Sequence, residues 1–225
     1  MALGQDKSTG IALNVTRVTV LTINLTIISV MLTIIGGRER AGGQAVSAHL
    51  ASSVALFVGF CLTILGLYWL LSSQEWDAQG LSRPRPFTLG AMTTYLALSQ
   101  TVTAFMHEYL VWIKSAVEAA TPRVAESSGL VPLNAFGDTG LPLLLLMGSA
   151  IWVLTTYFAP LTMIINGADL GGRGWVFAAY YFALQVPIYW VYAEAWHLQY
   201  APADQPMNMP SLFALQFAQP LLWFR

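Results

Sequence analysis

Residues 54–73 read VALFVGFCLTILGLYWLLSS, twenty positions without a single charged side chain. Wound as an α-helix at 1.5 Å per residue, such a run covers the ~30 Å hydrocarbon core of a bilayer. Runs of this kind recur along the 225 residues: Ile11 to Gly37, Val46 to Ser73, Phe87 to Ile113, Leu141 to Asn166 and Trp175 to Leu198. Composition agrees, because 56% of the chain is hydrophobic and 9% is charged, against about 25% charged in an ordinary soluble domain. A water-soluble globule of this size could not cover its surface with so few charges. The expected fold is all-α: a polytopic integral membrane bundle of five transmembrane helices in one domain, residues 1–225, with a short apolar C-terminal segment.

The connections are "GRERAGGQ", the turn-rich "SSQEWDAQGLSRPRP", a polar stretch from Lys114 to Gly140, and "GADLGGRG". Pro84 and Pro86 make the third helix start afresh, because proline lacks an amide donor and restricts the residue before it. Asp138 and Thr139 ahead of Pro142 read as the start of the fourth. Inside the spans, Pro160 should disturb the fourth helix near Thr156, and Pro187 the fifth near Ala183. The tail 206–225 contains an apolar run of about 15 residues with Pro220 inside it, short for a span. It is expected to lie at the interface or dock on a partner, with Trp223 and Phe224 at headgroup level. "AVSA" before His49 loosely resembles a signal-peptidase site, but the apolar run ahead of it is too long, so an uncleaved first span is expected. Five spans place the termini on opposite faces, called side A (Met1) and side B. Basic residues divide equally between the faces, and discounting the distant Arg225 tilts side A toward the cytoplasm.

Several function classes find no support. Net charge is −1 and the ten Lys and Arg form no cluster, so nucleic acid is not an expected partner. Cys61 is the single cysteine, which rules out an intramolecular disulfide or a cysteine-ligated cluster. No GxSxG, HExxH, Walker, Rossmann or EF-hand pattern is present, so hydrolase and nucleotide-driven chemistry are not indicated. Any enzymatic role would be that of a membrane redox subunit.

Two helices carry packing patterns. Thr19, Thr22, Thr26, Ser29 and Thr33 recur at spacings of three and four along one face of the first helix, read as a packing seam. Ala55 and Gly59 form a small-xxx-small pair on the second, and the two helices are expected to pack as a hairpin. The fifth helix is aromatic at all depths, which suits either packing or a flat ligand.

Ionisable residues inside a span are costly and are functional candidates. The segment "AFMHEYLVWIK" (104–114) puts His107 and Glu108 about 9 to 10 Å short of Lys114. By the alternating helix directions His49, His107 and His197, all three histidines of the chain, fall near side B, together with Glu108 and Glu194. Glu194 and His197 have the Glu-x-x-His spacing with which bundle helices present metal ligands. Thr103 and Gln100 continue a polar stripe from His107 toward mid-membrane. The leading expectation is a subunit of a larger membrane complex in which His107, His197 and His49 ligate a metal, haem or chlorophyll-like pigment, oriented by Glu108, Glu194, Gln100 and Thr103. The alternative is a small ion or proton transporter using Glu108, His107 and Glu194, and the third a structural subunit. Lipid and other membrane subunits are the expected partners.

The odd span count makes a direct prediction: reporter tags at Met1 and at Arg225 should be labelled from opposite sides of the membrane. Labelling of both from one side would remove the common depth assigned to the histidines.

Overall fold

In hydrocarbon every backbone N–H and C=O needs an internal partner, and a helix supplies them within one segment. The computed structural model describes residues 15, 18–33, 36, 50–78, 84–124, 140–169, 174–200 and 208–223, and among them there is no strand. In chain order the elements are α1 (Val18–Thr33), α2 (Leu50–Ala78), α3 (Pro84–Val124), α4 (Leu141–Val153), a π segment (Leu154–Phe158), α5 (Ala159–Asp169), α6 (Gly174–Tyr200), α7 (Met209–Gln216) and α8 (Pro220–Trp223). The residues joining α4, the π segment and α5 keep right-handed helical angles, so Leu141–Asp169 is one continuous rod.

Three helices are long and apolar enough to cross a membrane: Leu50–Ser73, Leu141–Ile165 and Gly174–Gln199. They turn apolar side chains outward. On α2, Phe57, Phe60, Ile64, Leu67, Tyr68 and Leu71 are exposed at helical spacing, a patch far beyond what a water-soluble monomer leaves uncovered. Among the described residues the chain is thus all-helical with three candidate membrane spans, which leaves the five expected unconfirmed. The described part of α1 is shorter than the ~20 residues a span requires. Length is not what separates α3, which at 41 residues outruns the expected Phe87 to Ile113 at both ends. It begins at Pro84, where a missing amide donor does no harm. It also continues through "KSAVEAATPRV", whose Lys, Ala and Glu favour helix where a connection was expected. What separates α3 is polarity. It buries Thr88, Thr93, Thr94, Ser99, Gln100, Thr101, Thr103, His107 and Glu108.

α3 lies at the centre. α2 runs against it over its length, α4, the π segment and α5 cover a second side, and α6 a third. The α2–α3 approach is close because glycines meet: a Cβ on Gly90 would lie 3.1 Å from Trp69 Cβ and 3.4 Å from the Gly66 carbonyl. The small face of α2, with Ala55 and Gly59, therefore packs on α3. α1 inserts Asn24, Ile28 and Met31, while its Thr19, Thr22, Thr26, Ser29 and Thr33 face outward in this chain. Four of those five hydroxyls bond back to the carbonyl four residues earlier, which satisfies them without a neighbouring helix.

Proline makes the irregularity in the fourth rod. Pro160 has no N–H, so the carbonyl four residues back, Thr156, is left without its helical donor. Tyr181 Oη on α6 donates to that carbonyl at 2.6 Å, and Ala159 N–H reaches back to Leu154 O in the i→i−5 bond of a π turn.

The tail enters the bundle. Asn208 caps α7 by accepting from Ser211 N–H, and Gln216, Gln219, Pro220, Leu222 and Trp223 are buried. Phe217 stacks edge-on against Tyr189 of α6 at 4.8 Å, Tyr157 donates to the Phe217 carbonyl, and Trp223 packs with Met106, Leu145 and Trp152. α7 and α8 thus form a hairpin docked on its own chain, and Trp223 lies in the core rather than at the headgroup level expected for it. Phe224 lies outside the described residues.

A Cβ on Gly59 would meet Ala97 O, Gln100 Cβ and Thr101 Oγ1 at 3.6–3.7 Å, ordinary contact. Gly59→Ala should therefore keep the thermal midpoint of the detergent-purified protein close to that of the parent. Gly59→Leu should lower it clearly, since overpacking costs about 1–3 kcal/mol. An unchanged midpoint for Gly59→Leu would mean that this face looks at lipid.

Candidate functional site

Buried polar side chains in a membrane domain need partners on neighbouring helices, and α3 finds them at three levels. At the level of residues 107 and 108, Glu108 is 5% and His107 4% exposed. Ser52 Oγ on α2 donates to Glu108 Oε1 at 2.6 Å. The His107 ring stacks on Trp196 of α6, centroids 6.0 Å apart at 26°. Gln199 Oε1 of α6 accepts from Ala51 N–H in the first turn of α2 at 2.7 Å, taking up a donor that the helix itself leaves over. α2, α3 and α6 are therefore tied pairwise around Glu108.

Farther along α3 toward its N-terminus, Asn24 of α1 is clamped. Its Nδ2 donates to Thr63 Oγ1 at 3.0 Å, and Thr101 Oγ1 donates to its Oδ1. On another side of α3 a relay runs into the tail: Trp152 Nε1 to Thr103 Oγ1 (3.2 Å), Thr103 to Gln219 Oε1 (2.7 Å), Gln219 to Gln216 Oε1 (3.2 Å) and Gln216 to Leu212 O (3.3 Å). The amides read as one chain of donors because each hydroxyl has a single hydrogen to give.

At the opposite end, Trp69 Nε1 of α2 donates to Tyr180 Oη of α6 at 3.0 Å, and Tyr180 shares a 2.8 Å bond with Thr93 of α3. Since Thr93 gives its own hydrogen to Leu89 O, Tyr180 is the donor to Thr93. α2, α3 and α6 thus form a three-sided prism, closed by polar contacts at both ends. Thr93 and Glu108 are fifteen positions apart, about 22 Å at 1.5 Å of rise each.

The expected site residues are only partly brought together. His107 and Glu108 are buried on α3 with Thr103 and Gln100, but they face different neighbours, as their 100° separation requires. His197 follows Trp196 on α6 and is half-buried. Glu194 is exposed, and its Oε1 accepts from Trp190 Nε1 on the same helix at 3.0 Å, so that carboxylate is turned along α6 and away from His107. His49 lies outside the described residues. Among the described residues, no three of His, Cys, Asp and Glu gather closely enough to hold a metal ion. The residues that sequence reasoning did not assign to the site are Ser52, Trp196, Gln199, Gln216 and Gln219. Spacing alone did not mark them, because their partners lie on other helices, and the burial of Gln216 and Gln219 is set by the docking of the tail.

Burial under Trp196 should shield His107 from diethyl pyrocarbonate while His197 reacts. Trp196→Ala should make a second histidine of the 107/197 pair reactive, read by peptide mass spectrometry. Modification of His107 in the parent chain at the rate of His197 would contradict its placement.

The chain matches no protein-family model, no curated protein and no solved structure, and its function has to follow from these side chains.

Proposed function

We propose that this chain is a five-span membrane protein in which Glu108 is an ion-handling carboxylate, taking up and releasing a proton or small cation within the bilayer. The observation that carries the reading is the Glu108 carboxylate itself, buried among α2, α3 and α6 at one end of the prism with a 2.6 Å bond from Ser52. An acidic group at membrane depth is disfavoured by a few kcal/mol and serves in transport paths and proton relays. Ser52 gives the carboxyl group a hydrogen-bond donor from the neighbouring helix, which a buried carboxyl group requires. His107, next in sequence and buried beside it, is the second group able to exchange a proton. On this reading α1 and α3 also cross. α3 dispenses with an apolar surface because neighbouring helices cover its polar face, and its contacts at Thr93 and Glu108 span most of a hydrocarbon core.

The cofactor reading is supported less well. It asks Glu194 to orient His197, whereas Glu194 is bonded to Trp190, and it asks several ligands to converge. The exposed hydroxyl face of α1 is the surface we assign to neighbouring membrane subunits, because small residues allow close helix approach.

The test is ion flux into liposomes that carry the purified full-length chain and an internal pH-sensitive dye, with separate Na⁺ and K⁺ assays. Glu108→Gln should abolish flux, Glu108→Asp should retain part of it, and Glu194→Gln should leave it unchanged. Full flux through Glu108→Gln would sink the proposal. So would a stoichiometric haem, pigment or metal in the native protein that His107→Ala removes, which would restore the cofactor reading.

A further inference from the structure

Between its two closed ends the α2–α3–α6 prism holds polar atoms that the protein leaves without partners. Gln100 Oε1, Gln185 Oε1 and Tyr192 Oη are buried and accept or donate no protein hydrogen bond, and all three residues are at most 1% exposed. Gln100 spends its amide hydrogen on Ser99 Oγ, and Gln185 gives one to Tyr189 Oη at 3.4 Å. Buried polar groups in folded proteins are otherwise almost always bonded, and those the chain does not satisfy are where ordered water sits.

Their depth follows from the two ends. α3 and α6 are joined at Thr93–Tyr180 and again at His107–Trp196, so positions between these pins can be matched by helical rise. Starting from His107 and Glu108, the polar groups come in the order Tyr192, Gln100, Gln185 and then the Tyr180–Thr93–Trp69 network. Successive members are about 4–7 Å apart along the axis, the distance that one or two bridging waters span. Gln100 lies on the α3 face of Thr93 and His107, seven residues from each, and beside Gly59 of α2, while Gln185 and Tyr192 lie within about 40° of Trp196 around α6, so the series lies where α3 and α6 face each other.

We propose that the prism interior is a hydrated proton path and that the ion Glu108 handles is the proton, carried by water held on Gln100, Gln185 and Tyr192 between Glu108 and the Trp69–Tyr180–Thr93 network. This rests on the reading of Glu108 as the ion-handling carboxylate. The lining decides between ions. A metal cation needs several oxygen ligands around it at once, and the lining here consists of separated neutral amides and phenols. A proton needs no such cage. An excess proton joins the water nearest Tyr180, each water passes on one hydrogen as it receives another, and the last bonds to the Glu108 carboxylate. The acid so formed gives its proton to water on the far side and returns to carboxylate. One proton enters, one leaves, and no oxidant or reductant takes part.

The experiment uses the full-length chain in liposomes with the internal pH dye. Tyr192→Phe, Gln185→Leu and Gln100→Leu should each slow proton flux about tenfold, the size of one lost hydrogen bond. Tyr192→Phe keeps the ring and removes only the hydroxyl, so it separates the path from folding. Infrared spectra supply a second readout. The protonated-carboxyl band that appears on acidification and that Glu108→Gln deletes should shift on exchange into D2O in the parent, and shift more slowly in the three variants. Parent flux in all three variants, with flux lost in Glu108→Gln, would overturn the path and leave the carboxylate site standing. Parent flux in Glu108→Gln would overturn the site and the terminus of the path with it. Glu108-dependent passage of Na⁺ or K⁺ without a change in internal pH would overturn the proton as the ion.

Discussion

The 2.6 Å bond from Ser52 to Glu108 is the interaction around which the bundle has to be built. A carboxylate buried among apolar helices is tolerated only if those neighbours surround it and supply donors. That requirement sets α3 at the centre, brings α2 alongside it, and brings the end of α6 over His107. The glycine contacts between α2 and α3, with Gly66 and Gly90 backbone to backbone, let the two helices come close enough for a serine hydroxyl to reach.

The same requirement explains the two departures from regular helix. Pro160 removes a donor and leaves the Thr156 carbonyl exposed to a low-dielectric interior, and Tyr181 supplies the missing hydrogen. The turn between α7 and α8 leaves backbone groups outside any long helix, a geometry allowed at membrane depth only where protein covers it. Tyr157 bonds the Phe217 carbonyl, Gln219 ties the turn to Thr103, and Trp223 closes the hairpin against α4. Aromatic residues on α6 and the fourth rod thus act as hydrogen-bond donors as well as filler, which accounts for aromatic side chains far from either interface.

The buried polar groups fall into two kinds. Asn24 with Thr63 and Thr101, and Trp152 with Thr103, Gln219 and Gln216, are closed sets in which the donors find acceptors within the chain. Closed sets hold helices in register and give a moving ion nothing to use. Gln100, Gln185 and Tyr192 keep unpaired atoms and lie at depths between the networks at Glu108 and Tyr180, while Thr156 Oγ1 and Trp223 Nε1 are unpaired on the fourth rod and the tail.

The apolar, all-helical character and the proline-marked start of α3 were legible in the sequence, because run length, charge content and proline each act locally on the chain, whereas the far end of α3, eleven residues beyond Ile113, was not. The disturbance near Thr156 was legible for the same reason: a missing N–H has its effect one turn away. The 107–108 pair was legible as two ionisable residues inside an otherwise apolar run, and both are buried in the fold. What the tertiary structure decided was direction. The threonine face of α1 reads as a seam, yet the helix turns Leu21, Asn24, Ile28 and Met31 inward, since hydroxyls that bond their own carbonyls leave the choice of face to other residues. Glu194 and His197 have the spacing of a ligand pair, but spacing fixes only relative angle on one helix, and packing turned Glu194 outward to Trp190. The tail reads as interfacial by length alone, and its burial depends on a slot among α3, the fourth rod and α6 that exists only once those helices have met.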